Sequence, residues 1–415
     1  MARIFRKQKA VRPLICVAHS AAVHMKSNII SGIILKLECK NRYMKLHSLS
    51  LSSVRDFHPS YFAMVMATGI VSIAFEALAF PGIAKTLFTL NLVLYFLFCT
   101  ILAARAVFFC RNLVSDLRTL PRSWLFLTFV VGTNTIGMQL VTFLQAGDLA
   151  SRLWLVALIA WLIFICFIVF NAMALPRDSV VKSINGAALL VIVSTISIAL
   201  LGAQLLDPAG GHTEGFLALW ASWALGFILY LFVVYWIIRR LFFSCFKVED
   251  WEAPYWICMG APAIITLAGS EFFMRLPRSL WDGLGQVTLG MSLFAWILGT
   301  LWIPYLLAMD ILKFTHVPGS APVWIKIFPW WRLAFGRQYH LFNPPSWSRV
   351  FPMGMYTACT LSLAKATGYG YLESISRYWG CFALLIWSLT LIGTLRSLIP
   401  SQSCRVEDTP QKGTL

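Results

Sequence analysis

Apolar runs of roughly 20 residues recur ten times in this 415-residue chain, at 59–79, 87–109, 124–145, 153–174, 184–206, 216–238, 255–273, 283–309, 346–366 and 377–398. As a helix, a run of that length crosses the ~30 Å hydrocarbon core of a bilayer. The chain is 59% hydrophobic and 12% charged, with mean hydropathy +0.74. A soluble globular protein carries about 25% charged residues, so this chain has more apolar surface than one water-facing core hides. A cytosolic enzyme, a disordered chain and a secreted disulfide scaffold are excluded. The expected fold class is an all-α polytopic membrane protein whose partner is the lipid bilayer. The expected domains are a basic, disordered N-terminal arm (1–55), a ten-helix transmembrane transport domain (56–398) and a polar C-terminal tail (399–415).

The net charge is +17, from 34 Lys and Arg against 17 Asp and Glu. In a soluble protein that excess would point to nucleic acid. Here membrane topology explains it, and no nucleic-acid partner is expected. With ten spans, 28 of the cations fall on one face and six on the other. Cytoplasmic loops keep Lys and Arg because translocating them is costly. The census predicts both termini inside, in an integral protein expected in the plasma (cell inner) membrane. The arm before residue 56 holds eleven Lys and Arg. It lacks the single apolar core and small-residue cleavage site of a signal peptide. It suits anionic lipid as a disordered arm, and Met25 and Met44 are alternative starts to the chain.

Odd and even spans differ. Even spans are bulky and carry nearly all intramembrane Trp, including Trp154, Trp161, Trp220, Trp223, Trp296, Trp302 and Trp387. Odd spans collect small, hydroxyl and amide residues: Thr68, Gly69 and Ser72; Asn134 and Thr135; Thr195; Gly260, Pro262, Thr266 and Gly269; Pro352 and Gly354. Polar groups facing lipid are costly, so they turn inward or line water. Small residues let backbones approach closely. The predicted architecture is five hairpins, with the odd helices inside around a central pore that these twelve residues line. The bland alternative is that the small residues only pack helices and the hydroxyls bond to their own backbone.

What is missing also constrains function. The ten Cys contain no C-x-x-C pair, so neither a metal nor a disulfide framework is expected. All seven His lie outside the span interiors, which removes paired axial ligands for haem. No Gly-Lys-Ser/Thr occurs, so ATP-driven transport by this chain is not expected. No cofactor and no enzyme activity are expected. Glu76, Glu271 and Asp310 fall at span ends and read as interfacial.

Three stretches stand out: Phe57-His58-Pro59-Ser60-Tyr61-Phe62-Ala63-Met64-Val65-Met66-Ala67-Thr68-Gly69-Ile70, Tyr255-Trp256-Ile257-Cys258-Met259-Gly260-Ala261 with Thr266-Leu267-Ala268-Gly269, and Trp347-Ser348-Arg349-Val350-Phe351-Pro352-Met353-Gly354-Met355-Tyr356. Together they resemble the tellurite-resistance/C4-dicarboxylate transporter family, whose members include malate permeases, sulfite efflux pumps and slow-type anion channels. The likeness covers about 56–398. It implies a homotrimer with one pore per protomer and a span-9 Phe that plugs it, which the Phe-Pro match places at Phe351. It implies transport of a small anion: C4-dicarboxylate such as malate, a sulfite- or tellurite-type oxyanion, or halide. A channel-like or uniport mechanism is expected, with a proton-coupled carrier as the alternative. Arg349 is the one cation near an odd helix on the basic face, and it is a candidate anion contact.

Overall fold

In a computed structural model of the chain, the described residues are 54–206, 211–244, 246–277, 281–315, 328, 330–335 and 343–397. The basic arm to residue 53, the polar tail from 398 and most of the Pro/Trp/Arg-rich stretch 316–342 lie outside them. The chain is all-helical across the described residues. Its long helices are α1 (Phe62–Ala77), α2 (Pro81–Phe108), α3 (Leu120–Leu144), α4 (Gly147–Ala174), α5 (Leu190–Leu205), α6 (Thr213–Phe243), α7 (Ile257–Arg275), α8 (Gln286–Thr315), α9 (Trp347–Thr367) and α10 (Tyr371–Ser397). Each falls on one expected span. Among the described residues, nine helices are long and apolar enough to cross a membrane, and α9 is the long helix outside that set. It carries Ser348, Arg349, Thr357, Thr360, Ser362 and Lys365. All of these but Lys365 are buried, so the polarity of α9 is turned on protein rather than on lipid.

Residues 54–57 and 104–109 form one small unit, in which Arg105 Nε donates to the carbonyl of Arg55 at 2.8 Å. The other described residues form the main body.

Burial separates the helices by parity. In the stretches containing α1, α3, α5 and α7, 78–89% of the most apolar window is buried; in the even-numbered helices the share is 11–44%. Bulky apolar side chains on the even helices, such as Phe96, Phe170 and Phe232, are exposed and suit contact with acyl chains. The inner helices close a ring in chain order: α1 packs on α3, α3 on α5, α5 on α7, α7 on α9, and α9 back on α1. Each of α4, α6, α8 and α10 packs on the helix before it. Ser72 Oγ on α1 donates to the carbonyl of Ala84 on α2 at 2.9 Å.

One end of the ring is a collar of short 3-10 turns, Pro59–Tyr61, Gly186–Leu189, Ala253–Trp256 and Pro344–Ser346, which lead into α1, α5, α7 and α9. Proline opens three of them, where its missing N–H costs no hydrogen bond. In the fourth, Asn185 Oδ1 accepts from the Ala187 N–H at 3.0 Å. The turns touch in sequence around the end of the ring. The contact between the α5 and α7 turns is backbone on backbone: a Cβ added at Gly186 would lie 2.1 Å from the Pro254 carbonyl oxygen. A backbone atom cannot swing aside as a side-chain tip can. Gly186→Ala is therefore expected to destabilise by about 1–3 kcal/mol, the usual cost of overpacking. Thermal unfolding in detergent checks this, against Gly147→Ala, where no atom lies within 4 Å, as the control.

Candidate functional site

At the other end, the ring opens into a cavity of about 100 Å³. All five inner helices line it: Ile70, Ile73 and Ala77 from α1, Met138 and Thr142 from α3, Gln204 from α5, Leu267 and Glu271 from α7, and Ala358, Leu361, Ser362 and Lys365 from α9. A cavity of that size has room for water. Gln204 Oε1 and Ser362 Oγ are buried and have no hydrogen-bond partner among the described residues. Such groups bond to water or a solute when one reaches them. Glu271 carries an i,i+4 ion pair with Arg275 at 3.4 Å.

Between cavity and collar the ring is tight. Phe351 is fully buried, at 0% exposure, in the second turn of α9. Ala358 is seven residues further on, about 10 Å at 1.5 Å per residue. The phenyl ring thus lies toward the collar and not at the helix centre. Glycines bring the inner helices together here. An added Cβ at Gly260 would meet Pro352 Cγ at 2.9 Å, and one at Gly354 would meet Val71 Cγ2 at 2.8 Å and Ile70 Cγ2 at 2.9 Å.

The twelve residues expected to line a pore are all on inner helices, and none of them lines the cavity. Many of their polar groups bond elsewhere. Thr68 Oγ1 accepts from Trp387 Nε1 at 3.0 Å, and Thr195 Oγ1 accepts from Trp161 Nε1 at 3.2 Å. Thr135 donates to its own helix at Val131, Ser72 reaches α2, and Thr266 donates to the carbonyls of Pro262 and Ser292. Asn134 Nδ2 donates to Ser197 Oγ at 2.9 Å, while its Oδ1 has no partner among the described residues. Gly69 abuts Thr135 and Asn91, and Gly269 abuts Ser292 and Trp223. Pro262 removes the N–H that the Cys258 carbonyl would have accepted. Tyr230 on α6 supplies a replacement, its hydroxyl donating at 3.2 Å.

These bonds belong to a wider pattern. Every inner helix receives a hydrogen bond from an outer one. Trp154 and Trp223 donate to the carbonyls of Ile198 and Ile265, and Trp296 donates to Thr360 Oγ1. On α3, Gln139 Oε1 accepts from Asn91 Nδ2 at 2.8 Å, and Thr133 pairs with Tyr95 at 3.0 Å.

Asp310 corrects the expectation of an interfacial acid. It is 0% exposed on α8, and its carboxylate accepts five hydrogen bonds. Trp251 (2.8 Å), Trp256 (3.0 Å) and Trp330 (3.1 Å) each donate an indole N–H. Arg349 donates Nε at 2.6 Å and Nη2 at 3.1 Å. Phe314 lies under the guanidinium, 5.3 Å from ring centroid to Cζ. Lys313 Nζ, one residue along, donates to the carbonyls of Glu249 (3.2 Å) and Trp251. Arg349, singled out as an anion contact, thus has a carboxylate as its partner, and it anchors the first turn of α9 two residues before Phe351. Sequence reasoning missed this cluster. The available signal was an acid inside a long apolar helix, which is costly enough to require a partner.

A ring of inner helices with a small cavity at one end and close packing toward the collar is the architecture of a membrane transport protein. A family model described as voltage-dependent anion channel matches residues 56–395, and the chain belongs to that family. It is similar to a sulfite efflux pump of Trichophyton rubrum, with 25% identity over 363 residues, covering 83% of this chain and 91% of the pump. It is similar to an uncharacterized transporter of Methanocaldococcus jannaschii, with 23% identity over 366 residues, 84% of this chain and 96% of that one. A membrane protein of Mycobacterium tuberculosis is 29% identical over 170 residues, 41% of this chain and 77% of the relative. Channels and transporters are not enzymes, and family and relatives together support anion transport across a membrane.

The Asp310 cluster generates a stability prediction. Removing one partner of a buried ion pair leaves a charge uncompensated, at a cost of about 3–5 kcal/mol. Asp310→Ala and Arg349→Met are each expected to lower the thermal midpoint in detergent strongly. The pair Asp310→Leu with Arg349→Met is expected to recover part of the loss. Recovery stays incomplete because three indole N–H groups still lack an acceptor.

Proposed function

We propose that the chain carries small anions through the centre of the five-helix ring, as a channel or uniporter gated by Phe351. The observation that carries this is the cavity lined by all five inner helices, with unpartnered Gln204 and Ser362 oxygens and the Lys365 ammonium among its lining groups. In this reading the phenyl ring of Phe351 closes an apolar neck, which stops a hydrated ion by sterics and dewetting. The inner-helix N-termini that gather at the collar turn their positive dipole ends toward that mouth. Sulfite-type oxyanions are the favoured substrates, since the pump similar to this chain exports sulfite. C4-dicarboxylate, tellurite and halide are the others to be compared. The expected pore-lining residues enter the proposal as the wall of the ring rather than as solute contacts, apart from Asn134, whose Oδ1 is unpartnered. We extend the proposal to a homotrimer in the plasma membrane with both termini inside, a topology supported by the 28-to-6 division of Lys and Arg.

One observation favours a second reading. Glu271 is a titratable carboxylate in the cavity wall, and the buried Glu76 Oε2 near the same end of α1 has no partner among the described residues. Acids at an intramembrane cavity serve proton-coupled carriers.

Liposome flux separates the two. In the uniport reading, Phe351→Ala raises sulfite or chloride flux by about tenfold, equivalent to ~1.4 kcal/mol off the barrier. That flux survives a protonophore. In the carrier reading, uptake saturates and collapses with the protonophore, and Glu271→Gln abolishes its pH dependence. Unchanged flux in well-folded Phe351→Ala removes the gate.

A further inference from the structure

Away from the ring, a second cavity, of about 930 Å³, opens between α4, the short helix Arg177–Ser183 and α6. Its walls divide by chemistry. Phe232, Trp236 and Val181 form an apolar side, and Arg177, Arg239 and Arg240 gather at the helix ends, with Asp178 beside them. The apolar side is not closed by the protein: Phe232 is 62% and Val181 37% exposed on the outer layer. The basic end is organised. The Arg239 guanidinium sits over the Trp236 ring, 5.4 Å from its centroid, and Arg240 Nη1 donates to the Ile184 carbonyl at 2.7 Å.

We propose that this groove binds one anionic glycerophospholipid, its phosphodiester on Arg177 and Arg239 and an acyl chain along Phe232 and Val181. Three observations point to that occupant. The groove is amphipathic in the order a lipid is, apolar along the helix sides and cationic at the helix ends. A Trp with an Arg stacked on it marks headgroup depth, where amphipathic rings settle. Guanidinium groups match phosphate oxygens with paired N–H donors. Charge decides against the basic arm as occupant. Three arginines against one aspartate make the groove cationic, and the first 55 residues of the chain hold eleven Lys and Arg. The arm meets like charge, whereas an anionic lipid meets its opposite. The volume is that of a ligand site, within the usual range of about 300–1,000 Å³. The site is independent of the transport path and of which side of the membrane it faces.

Native mass spectrometry of the full-length protein tests it, after delipidation and with phosphatidylglycerol or phosphatidylcholine added to the micelles. The protein is expected to retain one phosphatidylglycerol per protomer in preference to phosphatidylcholine. Arg177→Gln with Arg239→Gln is expected to weaken that retention about tenfold or more, ~1.4 kcal/mol. Arg152→Gln with Arg377→Gln removes the same charge from exposed sites elsewhere and is expected to leave retention unchanged. Val181→Trp keeps all three arginines and fills the apolar side, so it is expected to lose the lipid as well. The proposal falls if the Arg177/Arg239 variant, folded by gel filtration, holds phosphatidylglycerol like the parent. It falls if phosphatidylcholine is retained equally well. It also falls if a Val181→Cys variant cross-links efficiently to a second copy, since the groove is then a protein interface.

Discussion

A hydroxyl, amide or carbonyl in hydrocarbon must find its partner inside the protein, and much of this structure follows from how that requirement is met. The inner helices are rich in groups that need partners, and the outer helices bring them. Indole N–H groups of Trp154, Trp161, Trp223, Trp296 and Trp387 reach inward to α5, α7, α9 and α1, while Asn91 and Tyr95 serve α3. Each such bond contributes about 1 kcal/mol net, and leaving the group unpaired costs more. The segregation of Trp to even spans and of hydroxyls to odd spans is therefore one interaction seen from its two sides.

The same requirement is most demanding at Asp310. A bare carboxylate there would be prohibitive, and even the Arg349 pair does not guarantee stability, because two desolvated charges barely break even. Three indoles complete the shell. The result ties α8, the turn before α7, the segment at Trp330 and the first turn of α9 to one point. That point lies two residues from Phe351. Arg349 thereby holds the first turn of α9 in place, next to the gate proposed at Phe351.

Much of the helical layout was legible in the sequence. The ten long helices fall on the ten apolar runs, and the odd and even classes are the inner and outer layers. The site was less legible. Thr68, Thr195, Gly69 and Gly269 were visible as the residue types of a pore wall, but a helix has more than one inward face: Thr68, Thr195 and Gly269 meet outer helices, and Gly69 packs on α3 as well as on α2. The residues that line the cavity include Ile70, Leu267 and Leu361, which no composition argument separates from ordinary packing. Asp310 and Arg349 stood 39 positions apart with nothing local to join them.

By itself, the sequence determined where the long apolar helices fall and which of them are buried by protein, because hydropathy and charge act residue by residue along each segment. Only the tertiary structure decided which polar group meets which. Trp161 finds Thr195 across 34 positions and Trp387 finds Thr68 across 319. The first joins neighbouring helices, α4 and α5; the second exists because the ring closes α9 back on α1, and closure is a property of all five inner helices together.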